Sequence, residues 1–79
     1  MHYTYIIQSK VDKRYYFGST VDLKKRIRVH NEGGSSYTSK YRPWKLKWFA
    51  GFSSKILAEN FEKYLKSGSG HAFSRKRLL

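Results

Sequence analysis

The stretch YFGSTVDLKKRIRVHN, Tyr16 to Asn31, constrains this chain more than any other. It runs from a strand end, through Gly18, into a helix for which Asp22 is a suitable N-cap. At about 3.6 residues per turn, Leu23, Arg26, Ile27 and His30 share one side of that helix. Leu23 and Ile27 belong against a core. Arg26 and His30 lie on the same side, one turn apart, while Lys24, Lys25 and Arg28 point elsewhere. Arg26 therefore projects from the edge of the core-facing stripe, beside whatever strand the helix covers. Two readings stand at this point. Arg26 snorkels and His30 caps or packs, or both belong to a site that also draws on the tyrosines before the helix.

Upstream, Tyr3 to Gln8 (YTYIIQ) is a strand, with β-favouring types on both sides. Lys10 to Lys13 is a polar turn, and Arg14 to Ser19 (RYYFGS) is a second strand, so the pair forms an antiparallel hairpin. Tyr5 and Tyr16 could share one face, although the turn leaves the register open. Gly18 ends the second strand and permits a close approach. Asn31 and Gly33 stop the helix. The segment NEGGSSYTSKYR, Asn31 to Arg42, reads either as a plain flexible connector or as a phosphate-contacting loop carrying Lys40 and Arg42.

Pro43 opens a third strand, PWKLKWFAGF, in which Trp44, Leu46 and Trp48 point one way and Lys45 and Lys47 the other. Ser53 or Ser54 then caps a second helix to about Lys66, with Leu57, Phe61, Tyr64 and Leu65 as its apolar stripe. Glu62 falls beside that stripe, in line with the small Ala58, and can face a cleft. It can equally pair with Lys66 at i,i+4, as Glu59 can with Lys63. The tail HAFSRKRLL could add a short basic helix on which Phe73 docks, with His71 at the surface. The expected fold is α+β: a small three-stranded antiparallel sheet flanked by helices, in the order strand, strand, helix, strand, helix. No repeat or second domain is visible, so residues 1–79 read as one domain.

Charge narrows the function. The chain has 17 Lys+Arg against 5 Asp+Glu, a net +12 over 79 residues. Such self-repulsion in a small domain points to an anionic partner. Nucleic acid fits first, because counterion release rewards many modest phosphate contacts. An anionic membrane fits less well, since no helix joins a basic face to a long apolar one. The N-terminus MHYTYIIQSK has no sustained apolar run, so neither a signal peptide nor a membrane span is expected. There is no cysteine, hence no disulfide framework or thiolate metal site. A reducing, cytoplasmic setting suits such a chain. No self-association interface is evident.

Together these segments resemble GIY-YIG nuclease domains, of the small standalone type related to the N-terminal module of DNA-repair excinucleases. Tyr3-Thr4-Tyr5 stands where that family has G-I-Y, and Tyr16-Phe17-Gly18 stands at Y-I-G. STVDLKKRIRVHN matches the family's helix with its Arg and His, RPWKL resembles the start of the third strand, and AENFEKYLK resembles the helix with the metal-binding Glu. Tyr3 replaces the first motif's Gly. Ser19 follows Gly18, where the excinuclease module has Lys, and a serine supplies neither a positive charge nor a comparable base.

The resemblance implies a DNA endonuclease that hydrolyses phosphodiester bonds in structured or damaged DNA, of a repair or recombination type. It implies one divalent cation, Mg²⁺ or Mn²⁺, with Glu62 as its only protein ligand and waters completing the shell. Arg26 would hold non-bridging phosphate oxygens with a planar fork. Tyr5 would take the proton from the attacking water or orient it, and Tyr16 would position water or phosphate. A free phenol with a pKa of about 10 is a poor base at neutral pH, so cations must lower it or His30 must relay the proton. Lys24, Lys25, Arg28, Lys40 and Arg42 would bind the phosphate backbone. Gly18 and Asn31 would support the site. The competing reading is a non-catalytic nucleic-acid-binding module on the same fold.

Overall fold

A computed structural model describes residues 1–79. The elements are β1 (His2–Ser9), β2 (Tyr15–Thr20), α1 (Leu23–Asn31), α2 (Ser36–Ser39), β3 (Trp44–Phe52), α3 (Lys55–Leu65) and α4 (Gly68–Arg77). The strands form one antiparallel sheet in the order β2-β1-β3, which puts the first strand in the centre. The α+β architecture, with helices on both faces of a three-stranded sheet, is the one expected from the pattern of segments.

The hairpin register sets Tyr5 opposite Gly18 and Ile7 opposite Tyr16. Paired residues share a face, so Tyr5 and Tyr16 lie on the same side of the sheet. That side packs Tyr5, Ile7 and Trp44 against Leu23 and Ile27 of α1. The other side packs Ile6 and Phe17 against Leu65 of α3, with Phe61 and Trp48 around them.

Local chemistry fixes the helix ends. Asp22 accepts from the Lys25 amide at 3.1 Å at the start of α1. The helix closes with Gly33 at φ +84° and a Gly34 N–H to Val29 carbonyl bond of 2.9 Å, the hydrogen bond of a Schellman end. Ser54 and Ser67 cap α3 and α4 in the same way as Asp22 caps α1.

Three expectations are corrected. Trp48 does not share a face with Trp44 and Leu46. Ile6 pairs with Trp48 and Ile7 with Leu46, so Lys47 is an extra residue in a β-bulge. One added residue inverts the alternation downstream, turning Trp48 towards α3. The stripe of α3 is also narrower than read: Leu57 is 50% and Tyr64 40% exposed, while Ala58 and Leu65 are buried. The Thr4 hydroxyl donates to the Ala58 carbonyl at 2.7 Å, bringing the helix down on its smallest side chain and rolling Leu57 outward. Finally, the segment from Asn31 to Arg42 is not a plain connector. It holds α2, whose Thr38 is fully buried.

Candidate active site

Gly18 opens the site. The Tyr5 ring leans from β1 across β2, and a Cβ at residue 18 would stand 2.6 Å from Tyr5 Cζ. Only a residue without a side chain lets the phenol lie there. The Tyr5 oxygen then reaches His30 Nε2 at 2.8 Å, and His30 Nδ1 reaches Thr38 Oγ1 at 2.7 Å. The Thr38 carbonyl in turn accepts from the Trp44 indole N–H at 2.7 Å. A buried polar chain thus runs from β1 through α1 and α2 to β3. Tyr16 closes over it, its ring 5.2 Å from that of His30.

Burial dominates the electrostatics here. Tyr5 is 1% exposed, and burial pushes its hydroxyl up to about 12. Arg26 opposes that shift through polar contact and charge, while the ionised forms of Tyr16 and Glu62 add to it. The best-formed hydrogen bond at the oxygen is nevertheless the one to His30. Burial, reinforced by the Arg26 charge, lowers His30 to about 4. The resting pair is neutral on both sides at physiological pH. Moving a proton from Tyr5 to His30 in the free protein is strongly uphill.

One oxygen therefore lies in electrostatic range of groups from β2, α1 and α3 as well as the histidine beneath it. Glu62 is brought in by the Thr4–Ala58 contact one turn earlier on α3. Its side chain is 20% exposed, and its Oε2 binds Lys66 Nζ at 2.8 Å. The Lys66 ammonium sits 5.9 Å from the Tyr16 ring centroid, tying the carboxylate to the tyrosine side of the sheet edge. The i,i+4 pairing of Glu62 with Lys66 and its nearness to the tyrosines thus coexist.

No cluster of three or more His, Asp or Glu side chains surrounds Glu62. One carboxylate with one oxygen free of Lys66 matches a hard divalent ion that keeps most of its water, and does not match a closed multi-ligand cage.

Asn31 bonds backbone on β3 rather than at its own helix end. Its amide donates to the Trp44 carbonyl at 3.2 Å and its oxygen accepts from the Trp44 N–H. Lys24, Lys25, Arg28, Lys40 and Arg42 are all exposed, the first two at the start of α1 and the last two beyond its end. Arg42 reaches back over Gly33. Thr38 is a site residue that sequence reasoning missed. In SSYTS it is one hydroxyl among several, and only its position against His30 distinguishes it. Tyr37 was also missed in this role. It stacks 5.9 Å from Tyr16 and 5.4 Å from Tyr41, whose ring lies under Arg14, and so pins the loop to the site.

The family described as GIY-YIG catalytic domain matches residues 1–76. The UPF0213 protein CPE1444 of Clostridium perfringens is 43% identical over 67 residues, 84% of this chain and 71% of its own length. The UPF0213 protein YazA of Bacillus subtilis is 41% identical over 66 residues, 82% of this chain and 66% of its own. The structure-specific endonuclease subunit SLX1 homolog of Giardia intestinalis is 45% identical over 58 residues, 68% of this chain but 16% of its own. The chain thus spans about two thirds of its UPF0213 relatives and a small part of the SLX1 proteins. Since the family model covers residues 1–76 of its 79, the chain belongs to the GIY-YIG family.

Proposed function

We propose that this chain is a divalent-metal-dependent DNA endonuclease that hydrolyses phosphodiester bonds in structured DNA, in a cytoplasmic repair or recombination setting. What supports the reading is that Arg26, Tyr16 and Glu62, from three separate elements, all act electrostatically on the buried Tyr5 oxygen, which bonds His30 at 2.8 Å. The names of the SLX1 relatives favour structured substrates, and the net charge of +12 favours a polyanion. Residues 1–79 would act as a single nuclease domain.

Hydrolysis at phosphorus needs a placed nucleophile, charge neutralisation and help for the leaving oxygen. Glu62 would hold one Mg²⁺ or Mn²⁺ through the oxygen that Lys66 leaves free. When bound, such an ion supplies Lewis-acid neutralisation of phosphate charge. Arg26, half-buried beside the tyrosines, forks two non-bridging oxygens, a geometry Lys cannot reproduce. Tyr16, the more open phenol, positions water or phosphate. Tyr5, nearly closed off and raised to about 12, stays a phenol and orients the attacking water by accepting a hydrogen bond on its oxygen. His30 is fully buried and cannot touch substrate; it positions Tyr5. A neutral His30 that donates Nδ1–H to Thr38 Oγ1 would accept the Tyr5 O–H at Nε2 and turn the phenol's lone pairs towards the site. Gly18 and Asn31 support this geometry, while Lys24, Lys25, Arg28, Lys40 and Arg42 hold the DNA backbone.

Incubation with supercoiled and branched DNA, with Mg²⁺ or chelator, tests the proposal. Nicking is expected with Mg²⁺, and Arg26→Ala and Glu62→Ala are each expected to lose at least 100-fold. Glu62→Ala is expected to retain DNA binding. Nicking that persists in both variants would show that the site is misassigned. Binding without nicking by the parent chain would favour the non-catalytic module.

A further inference from the structure

Beside the site, on the other flank of the start of α1, is an apolar feature that the chemistry above does not use. Phe49 of β3 is the cross-strand partner of Tyr5 and is 50% exposed. Tyr3, the next same-face residue along β1, meets it edge-on at 6.1 Å between ring centroids. With Val21, Asp22, Leu23 and Lys24 these rings line a shallow cavity of about 330 Å³. Its floor is aromatic and aliphatic. Its rim carries the Lys24 ammonium and the first, unpaired N–H groups of α1, while the Asp22 carboxylate is turned to cap the Lys25 amide.

We propose that this cavity is a stacking platform for an unpaired nucleobase within about two nucleotides of the scissile phosphate. The reach follows from the sheet: Phe49 lies one strand from Tyr5, about 4.8 Å, and Tyr3 lies two residues from it, about 7 Å. Charge decides the occupant. Lys24 lines the cavity beside an Asp22 engaged in capping α1, the chain is +12, and an aromatic face with a cation at its rim suits a base with its phosphate. A base inside a duplex is already stacked and cannot lay its face on Phe49. The platform therefore selects DNA with an unpaired base beside the cut, as at gaps, flaps and branch points. This rests on the nuclease reading and names its substrate class.

The test compares binding to a gapped DNA, carrying 2-aminopurine as the unpaired base, with a fully paired duplex of equal length. The full chain is expected to quench 2-aminopurine and to prefer the gapped DNA by at least fivefold. Phe49→Ala is expected to abolish the quenching and most of that preference, moving duplex affinity less than twofold. Phe49→Trp, which keeps a stacking face, is expected to restore both. The full chain's own quenching is read without any variant, so a folding defect in Phe49→Ala does not blunt the test. DNA binding without preference or quenching overturns the platform and leaves the nuclease reading standing. No salt-dependent binding to either DNA overturns both. A concentration-dependent dimer lost in Phe49→Ala would assign the apolar face to a second copy instead.

Discussion

His30 carries the sharpest consequence at the scale of single residues. It is buried, flanked by Arg26, and held between Tyr5 and Thr38, so the folded protein resists protonating it until about pH 4. The unfolded chain protonates it near 6.5. The lowered value makes the folded state lose stability as pH falls from about 6.5 towards 4, where both states carry the proton. By pH 5 the loss is expected to be about 2 kcal/mol. Denaturant unfolding of the parent and of His30→Gln at pH 6.5 and 5 checks this. The parent is expected to weaken and the variant to stay level; equal slopes would mean His30 is not held neutral. Nothing in the helical period from Leu23 to His30 announced that state. The period put Arg26 and His30 on one face, and only β1 beneath them made that face dry.

Among the elements, the β1–β2 hairpin sets the geometry that the helices then use. Tyr5 can cross to His30 only because Gly18 leaves the space. Gly18→Ala is expected to push the Tyr5 ring away, at a cost of about 1–3 kcal/mol from overpacking. It is also expected to break the Tyr5–His30 bond. The ¹⁵N shift of His30 Nε2 reads that bond directly, and an unchanged shift would show that the hairpin tolerates a methyl group here. Strand β3 teaches a different lesson. Its alternation of Trp44, Lys45, Leu46, Lys47 and Trp48 looked regular, yet the bulge at Lys47 splits the two tryptophans between opposite faces. A bulge is settled by which carbonyls and amides the neighbouring strand offers, so the strand's own sequence does not declare it. The segment containing α2 is similar: four residues of helix, closed by contacts of Thr38 with His30 on α1 and of Tyr37 with Tyr16 on β2.

Across the whole molecule, charge and shape divide the labour. Lys24 and Lys25 open α1, a helix about 14 Å long, Arg42 reaches back over Gly33 at its end, and Lys40 follows α2. That span covers about four base-pair steps of a duplex. If these four and Arg28 each meet a phosphate, log K against log salt is expected to fall with a slope of about −4.5. Each Lys→Ala change is expected to reduce that slope by about one, uniformly across DNA sequences. A slope near zero would remove the backbone-binding role of this face. No helix is long and apolar enough to cross a membrane.

Taken alone, the amino-acid order determined the three strands and the helices α1 and α3 to within a residue or two, the basic surface, the antiparallel hairpin and the family to which the chain belongs. Those features come from local propensity, capping residues and motif spacing, all of which act over short stretches. The tertiary structure decided the neutral Tyr5–His30 pair, the Thr38 contact behind it, the two faces of β3 and the electrostatic reach of Glu62 to Tyr5. Burial and contact between residues on different elements create those states, eight positions apart for Thr38 and His30 and 25 for Tyr5 and His30, and no local propensity carries that information.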